Sequence, residues 1–392
     1  MTEQKSSTAA QEVPILDHAG FDPEDEYRPE PEPEPQPPFW MDGSLRIGIH
    51  TSIAKSYIDA LDAARKLGCN ALQIFSASPR MWQGGPARIA EVDAQAFRAK
   101  REEMRLGPLI IHANYLINLA SEQRMLQTRS IQAFYEEIVR ATQLGADFVV
   151  VHPGARGSAS MGQAIATIIE SVKQAMKRLP MAGLKILIEN TAGMGSAVGS
   201  RLEEIAEILV GLQALPVEAC LDTAHLFAAG YDIKSESGLS ATLGQIESTI
   251  RLDNVPVVHA NDSKIDLGGR VDRHDHIGKG KIGAEAFARI LRHPRMGATA
   301  PEGLTGRVFI AETPIDDPGD DRKNVAKLWE LAGLADQAPE AEKGFSILTP
   351  ALKKKLMAEQ KRKSAAQRAP GPQRSLSTKK SSKPKSKAKK KK

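Results

Sequence analysis

An α/β chain organised as a (β/α)8 barrel, the TIM-barrel architecture, is what the sequence predicts, and three observations carry the prediction. Eight short apolar runs alternate with longer amphipathic ones between residues 45 and 337. The short runs are nearly continuous and most are rich in Val and Ile, as parallel strands buried on both faces require. Seven of the eight end on, or just before, a His, Asp or Glu, and the C-terminal ends of barrel strands are where such folds place their chemistry.

The strand-like runs are LRIGIH (45–50), ALQIFS (71–76), LIIHA (109–113), FVVVHP (148–153), KILIEN (185–190), VEACLD (217–222), VPVVHA (255–260) and VFIAET (308–313). Helical patterns lie between them, including YIDALDAARKLG (57–68), TRSIQAFYEEIVRATQLG (128–145) and RLEEIAEILVGL (201–212). Gly68 and Gly145 stand where helix C-caps are expected. A doubly wound open sheet would need a glycine-rich phosphate loop after the first strand. The segment there is HTSIAKS, which has none.

The two ends differ from this middle. Residues 1–43 hold eleven acidic and two basic residues and include PEDEYRPEPEPEPQPP. Alternating Pro and Glu cannot pack a core, so a disordered acidic head is expected there. Residues 353–392 hold seventeen Lys and Arg against the single acid Glu359. The expected organisation is a head over 1–43, a barrel domain over 44–337 and a disordered Lys-rich tail over 338–392. The tail is a candidate non-specific DNA arm, with targeting as the alternative. The net charge of +5 conceals this asymmetry, since 44–352 sums to −2. Only Cys69 and Cys220 are present, so no disulfide framework is expected and a reducing compartment is. No apolar leader or membrane-length run is found. A soluble monomer is expected, cytoplasmic and associated with the nucleoid, or nuclear in a eukaryotic source.

The candidate chemistry lies at the strand ends. The proposed strands finish in or just beyond His50, Ser76, His112, His152, Glu189, Asp222, His259 and Glu312. His225 comes one helical turn after Asp222. In VHANDSKIDLGGRVDRHDH (258–276), Asp272 and His274 are two apart, so an extended backbone turns both to one side. One such residue is satisfied by a hydrogen bond. This many ionisable groups on one rim would be costly without cations, and Asp, His and Glu are the mixed ligands that suit zinc and related ions. Several clustered ions suit phosphodiester hydrolysis. His50 and His276 are candidates for orienting a ligand, and His18 and His293 fall outside the pattern.

IENTAGMG (188–195), CLDTAHLFAAGYDI (220–233) and HANDSKIDLGGRVDRHDHIGKGKIG (259–283) resemble the signature stretches of endonuclease IV, the metal-dependent apurinic/apyrimidinic endonucleases. The resemblance runs from about residue 45 to 336. It implies a barrel with three zinc ions, with Mn2+ substitution possible. One ion would be held by His112, His152 and Glu189. A second would be held by Glu189, Asp222, His259 and Glu312, and a third by His225, Asp272 and His274. It further implies a bridging hydroxide that attacks the phosphorus 5′ to an abasic site in double-stranded DNA, leaving a 3′-hydroxyl. Glu189 would be the central catalytic residue. Arg80 and Tyr115 match positions that fill the gap left by the flipped nucleotide. Lys55 and Ser56 replace a Gly-Gly pair common in the family, and Ser78 and Met81 replace a common Asn and Gln, which bears on DNA contacts and not on the metals. Two alternatives remain at this point. A sugar isomerase or epimerase on a related barrel would use only Glu189, Asp222, His259 and Glu312. A DNA-binding scaffold without catalysis would be expected to lack a ligand.

Overall fold

The computed structural model describes residues 38–358, except 83–87, 178, 180, 182, 298–306 and 356. The acidic head up to residue 37, with His18, and the Lys-rich segment from 359 lie outside the described residues.

Eight parallel strands close into a barrel: β1 (Arg46–Thr51), β2 (Ala71–Phe75), β3 (Leu109–His112), β4 (Phe148–Val151), β5 (Lys185–Glu189), β6 (Val217–Asp222), β7 (Val257–His259) and β10 (Val308–Ala311). A small antiparallel ribbon, β8 (Asp262–Ser263) and β9 (His274–Asp275), is inserted after β7. The eight predicted runs are thus the eight barrel strands, with ends shifted by one or two residues. Around them lie α1 (Tyr57–Lys66), α2 (Glu91–Glu103), α3 (Arg124–Leu144), α4 (Met161–Met176), α5 (Leu202–Gly211), α6 (Thr223–Ala229), α7 (Glu236–Thr249), α8 (Ala284–Arg292) and α9 (Asp320–Ala332). Local signals start and stop them. Ser160 and Gln163 form a reciprocal capping box on α4, and α3 stops at Gly145, whose φ of 64° suits glycine.

Strand alternation sorts the side chains into two sets. Outward residues such as Ile47, Leu72, Ile111 and Val149 pack under the helices. Inward residues Ala71, Ile110, Phe148, Val150, Leu187, Cys220, Val257, Val308 and Ile310 fill the barrel interior. Gly48 belongs to the inward set because there is no room for more: an added Cβ would lie 2.6 Å from Ala71 O and 2.7 Å from Ile310 Cδ1. At the upper end of each strand the same inward register turns polar.

Both expected domain boundaries move outward. The head was expected to run to residue 43, but Phe39 and Trp40 belong to the barrel. Trp40 is 6% exposed and closes the lower mouth, with its ring 5.9 Å from that of Phe148. Its Nε1 donates to Asp147 Oδ1 at 2.9 Å, and its carbonyl accepts from Arg46 Nε at 3.2 Å. A barrel filled by aliphatic side chains needs such a plug, because an open lower mouth would wet its interior. At the other end, disorder was expected from 338, but Leu348 is buried and Ala338, Phe345 and Ile347 pack on the core. The segment meets both α1 and α9: Glu342 N donates to Lys66 O, and Ile347 N donates to Asp321 Oδ2.

Trp40→Ala should cost about 3–5 kcal/mol, read as a lower urea midpoint, with bound metal unchanged because the plug lies at the end of the barrel remote from the polar rim. An unaltered midpoint would show that the lower mouth needs no plug.

Candidate metal centre

The inward register ends in His50 (β1), Gln73 (β2), His112 (β3), Glu189 (β5), Asp222 (β6) and His259 (β7), with His152 and Glu312 one residue beyond β4 and β10. Glu189 lies at the middle and is fully buried. His112 Nε2 and His152 Nε2 are 3.4 and 3.2 Å from its Oε2. His259 Nδ1 and His225 Nδ1 are 2.9 and 3.5 Å from its Oε1. His259 Nδ1 also lies 3.3 Å from Glu312 Oε2. Asp222 caps α6 by accepting from His225 N at 2.7 Å, which sets His225 on the first turn facing the rim.

Among the described residues, three groups hold potential ligand atoms within 4.8 Å of one another: His112, His152 and Glu189; Glu189, Asp222, His259 and Glu312; and Asp222, His225 and His274. The first two coincide with the expected sets. In the third, Asp222 takes part, and the expected Asp272 lies beside it, 3.2 Å from both His225 Nε2 and His274 Nε2.

Each imidazole is aimed by the nitrogen it turns away. His112 Nδ1 donates to Ala113 O (2.8 Å), His225 Nδ1 to Asn190 O (3.0 Å) and His274 Nδ1 to Glu312 O (3.3 Å). A carbonyl only accepts, so these Nδ1 atoms carry a proton, and each Nε2 is the atom that faces the cluster and would coordinate an ion there once unprotonated. His225 Nε2, His274 Nε2 and Glu189 Oε2 are buried and have no hydrogen-bond partner. Buried polar atoms are rarely left so, and divalent cations would satisfy all three.

The charge balance points the same way. Burial pushes the Glu189 carboxyl up, but His152, His259, His112 and His225 outweigh it and hold it well below the usual range. Glu312 is lowered too, against its burial, chiefly by His259 and His50. Burial opposes protonation of His225 and His259, yet Asp222, Asp272 and Glu189 raise the first, and Cys220, Glu312 and Glu189 the second, well above their ordinary value. Asp222 and Asp272 likewise lift His274, against burial, to about 9. The carboxylates thus draw positive charge onto the imidazoles, a demand that bound cations meet without protons.

Sequence reasoning passed over several residues. Gln73 donates to Glu312 Oε1 (2.6 Å) while its Oε1 faces His259 Nε2 (2.8 Å). It, and not Ser76, is the polar terminus of β2 on the inward side; Ser76 instead bonds Glu137 and Arg140. Gln73 is in register with His50, and the sequence signal was only a polar residue at an inward position of the ALQIFS run. Asn261 binds Asp222 Oδ2 (2.6 Å) and Glu312 N (2.7 Å), and Asn190 binds Asp222 N (2.6 Å). Buried Asp262 accepts backbone N–H groups from Ser263, Gly278, Gly280, Ile282 and Gly283. It closes the 264–283 loop that brings Asp272 and His274 to the rim. His50 lines the cleft, 3.7 Å from Glu312. His276 orients no member of the cluster: it pairs with Asn324 (3.0 Å) and Asp316 (3.4 Å). His293 lies apart, against Arg295 N.

A cleft of about 260 Å³ opens over the cluster. Tyr115 stands at its mouth, 60% exposed, edge-on to Phe75 at 5.2 Å and 5.7 Å from the His112 ring. Burial, Glu312 and Glu189 push its hydroxyl up to about 12, so it stays a donor. Arg80 is exposed on the β2–α2 loop, which Asn114 Nδ2 pins by donating to Ser78 O (3.1 Å) and Met81 O (3.0 Å). Ser56, at a position of departure from the family pattern, caps α1 through Asp59 N.

A probable endonuclease 4 from Solibacter usitatus is 46% identical over 293 residues, 74% of this chain and 97% of that protein. The chain belongs to the endonuclease IV family. A family profile described as a xylose isomerase-like TIM barrel matches residues 61–329. An endonuclease 4 from Thermus thermophilus is 40% identical over 72% of this chain and 98% of its own length. A crystal structure of endonuclease IV from the same species, 37% identical, superposes with a TM-score of 0.63 over 74% of this chain and 99% of that one. Endonuclease IV enzymes are metal-dependent, and the His, Asp and Glu groups here are candidate sites for that metal.

Asp262→Ala should orphan five backbone donors, those of Ser263 and Ile282 buried and the other three half-buried, and cost about 3 kcal/mol, with metal content falling as the loop carrying Asp272 and His274 loosens. Denaturant titration with elemental analysis reads both. Asp262→Asn, which keeps one acceptor, should fall between. A variant with wild-type stability and metal content would show that Asp262 does not organise the loop.

Proposed function

We propose that the protein is an apurinic/apyrimidinic endonuclease of base excision repair, a hydrolase that breaks the phosphodiester 5′ to an abasic site in duplex DNA and leaves a 3′-hydroxyl. The observation that carries the reading is the surplus of ligands. Three adjoining groups share Glu189 and Asp222 at the mouth of one barrel. An isomerase would use the Glu189–Asp222–His259–Glu312 group alone, and His112, His152, His225, Asp272 and His274 would have no task. Family membership supports the same choice.

The ions would be three Zn2+: one on His112, His152 and Glu189, one on Glu189, Asp222, His259 and Glu312, and one on His225, Asp272 and His274. When bound, such ions lower the pKa of water and neutralise charge developing on phosphate oxygens. The chain's own residues do the rest. Glu189 joins two groups and places their ligands within one shared carboxylate. Gln73, Asn190 and Asn261 hold the ligands in register, so little reorganisation accompanies the reaction. Tyr115 and Arg80 flank the cleft, an aromatic donor and a cation suited to the gap left by an extruded sugar-phosphate and to its backbone. All of these groups come from one chain, in keeping with a monomer. Such an enzyme works where the chromosome is, in the cytoplasm at the nucleoid. The Lys-rich tail adds non-specific affinity for duplex DNA.

Incubation with a duplex carrying one abasic site should give a single nick that chelation abolishes. Glu189→Gln should lose metal and reduce kcat/KM by several orders of magnitude. A nick that survives exhaustive chelation, or an active Glu189→Gln enzyme, sinks the proposal.

Arg80→Ala and Tyr115→Ala should each retain the wild-type metal content while raising Kd for abasic duplex roughly tenfold, the scale of one lost charge-assisted or stacking contact of about 1–3 kcal/mol. Unchanged affinity in both would remove these residues from recognition.

A further inference from the structure

The buried stripe of α3 is apolar at Phe134, Ile138, Ala141 and Leu144, yet it also carries Glu137 and Arg140. These two form a buried ion pair, with Arg140 Nη2 3.3 Å from Glu137 Oε1. A buried pair of this kind stabilises a fold no more than apolar side chains of similar volume would. Packing alone therefore does not account for it. Both charges are aimed at one residue, Ser76, which is buried and follows directly on β2. Ser76 Oγ donates to Glu137 Oε2 and accepts from Arg140 Nε at 2.7 Å. The hydroxyl's single donor and one of its lone pairs are thereby used. From the other side, the Tyr57 hydroxyl on α1 donates to Ser76 O at 2.6 Å. One serine is thus held by two helices through three bonds.

Ser76 is the root of the span that carries Arg80. Beyond it the chain is tied again. Asn114 Nδ2 donates to Ser78 O and Met81 O on either side of Arg80. The Trp82 ring then lies 5.3 Å from the Arg129 guanidinium carbon. Arg129, Glu137 and Arg140 are eight and three residues apart, which sets them on one face of α3. The span from 76 to 82 is therefore moored to that face at both of its ends. Arg80 itself stays exposed, close enough to Tyr115 for its charge to act on the phenol. An arginine on a free loop loses backbone freedom when it meets a ligand, and affinity falls by that amount. A span moored at both ends has lost that freedom on folding.

We propose that Ser76, Glu137 and Arg140 are positioning residues for substrate recognition: a buried ion pair on α3 fixes the root of the 76–82 span and so holds Arg80 ready beside Tyr115. The identity of the substrate, an abasic duplex, rests on the endonuclease reading above. The three residues act on binding and not on the chemical step, because their hydrogen bonds go to one another and not to the metal-binding groups.

The test uses full-length, metal-loaded protein and a duplex with one tetrahydrofuran abasic analogue, with nicking kinetics read as kcat and KM. Ser76→Ala should raise KM roughly threefold to tenfold, the scale of one hydrogen bond, with kcat and bound metal unchanged. Ser76→Thr, which keeps the hydroxyl, should restore the wild-type KM. Tyr57→Phe, which removes only the bond to Ser76 O, should raise KM in the same direction. In an Arg80→Ala background, Ser76→Ala should change KM by less than about twofold, since what it positions is gone. A merely structural serine would lower the melting temperature and leave KM where it was. Without DNA, trypsin should cut after Arg80 several-fold faster in Ser76→Ala than in the wild type, as a loosened span opens more often. Unchanged KM in both Ser76→Ala and Tyr57→Phe overturns the proposal, as does a Ser76→Ala penalty of equal size with and without Arg80. A wild-type protein that fails to nick refutes the endonuclease reading instead, and the rate of cleavage after Arg80 then decides whether the ion pair moors the span.

Discussion

Glu189 is a fully buried carboxylate approached within 3.5 Å by four imidazoles. An ionised carboxylate in such a place is tolerable only with compensating charge, and the rest of the upper barrel is arranged around that need. His112, His152, His225 and His259 arrive from four different strands or strand ends, each turned by a hydrogen bond or by the pleat so that a nitrogen faces inward. Asp222, Asp272 and Glu312 add further negative charge at the same level. The excess of carboxylates over fixed cations is what makes these groups candidate sites for divalent metal.

The barrel solves a geometrical problem that the cluster poses. Ligands separated by 200 residues, from His112 to Glu312, must meet within hydrogen-bonding distance. Parallel strands in fixed register do this automatically, because the inward residue at each upper end lies at nearly the same height. The lower positions of the same register are aliphatic and exclude water, and Gly48 keeps the packing there feasible. Above the strands the scaffold becomes irregular, and single buried polar side chains take over. Asp262 gathers five backbone donors to shape one loop. Asn261 and Asn190 fix Asp222, and Gln73 joins His259 to Glu312. These groups contribute by limiting what the ligands can do: none needs to touch a substrate to matter.

The chain ends are used in the same economical way. Trp40 seals the lower mouth, and the segment beyond α9 packs against both α1 and α9 through Glu342, Phe345 and Ile347.

Much of this was legible in the residues. Continuous Val- and Ile-rich runs separated by amphipathic segments determined the strand count and the fold class, since only strands buried on both faces can be so apolar. The polar residue closing nearly every run marked where the chemistry lies, and Gly68 and Gly145 marked where two helices stop. The resemblance of three motifs to endonuclease IV added the expected ligand sets. What the sequence could not supply was anything that depends on neighbours across the barrel. Gln73 reads as an interruption of an apolar run until the strand register puts it beside His50 and His259. Ser76 reads as the polar end of the second strand until the pleat turns it to Glu137 and Arg140. Asp272 and His274 are two residues apart by sequence, but that they meet His225 depends on Asp262 folding a twenty-residue loop. Phe39, Trp40 and the 338–348 segment are compositionally part of the flanks. Only the closed barrel, with an open lower mouth and both α1 and α9 to pack against, decides that they are buried, because burial is a property of the surface a residue meets and not of the residue itself.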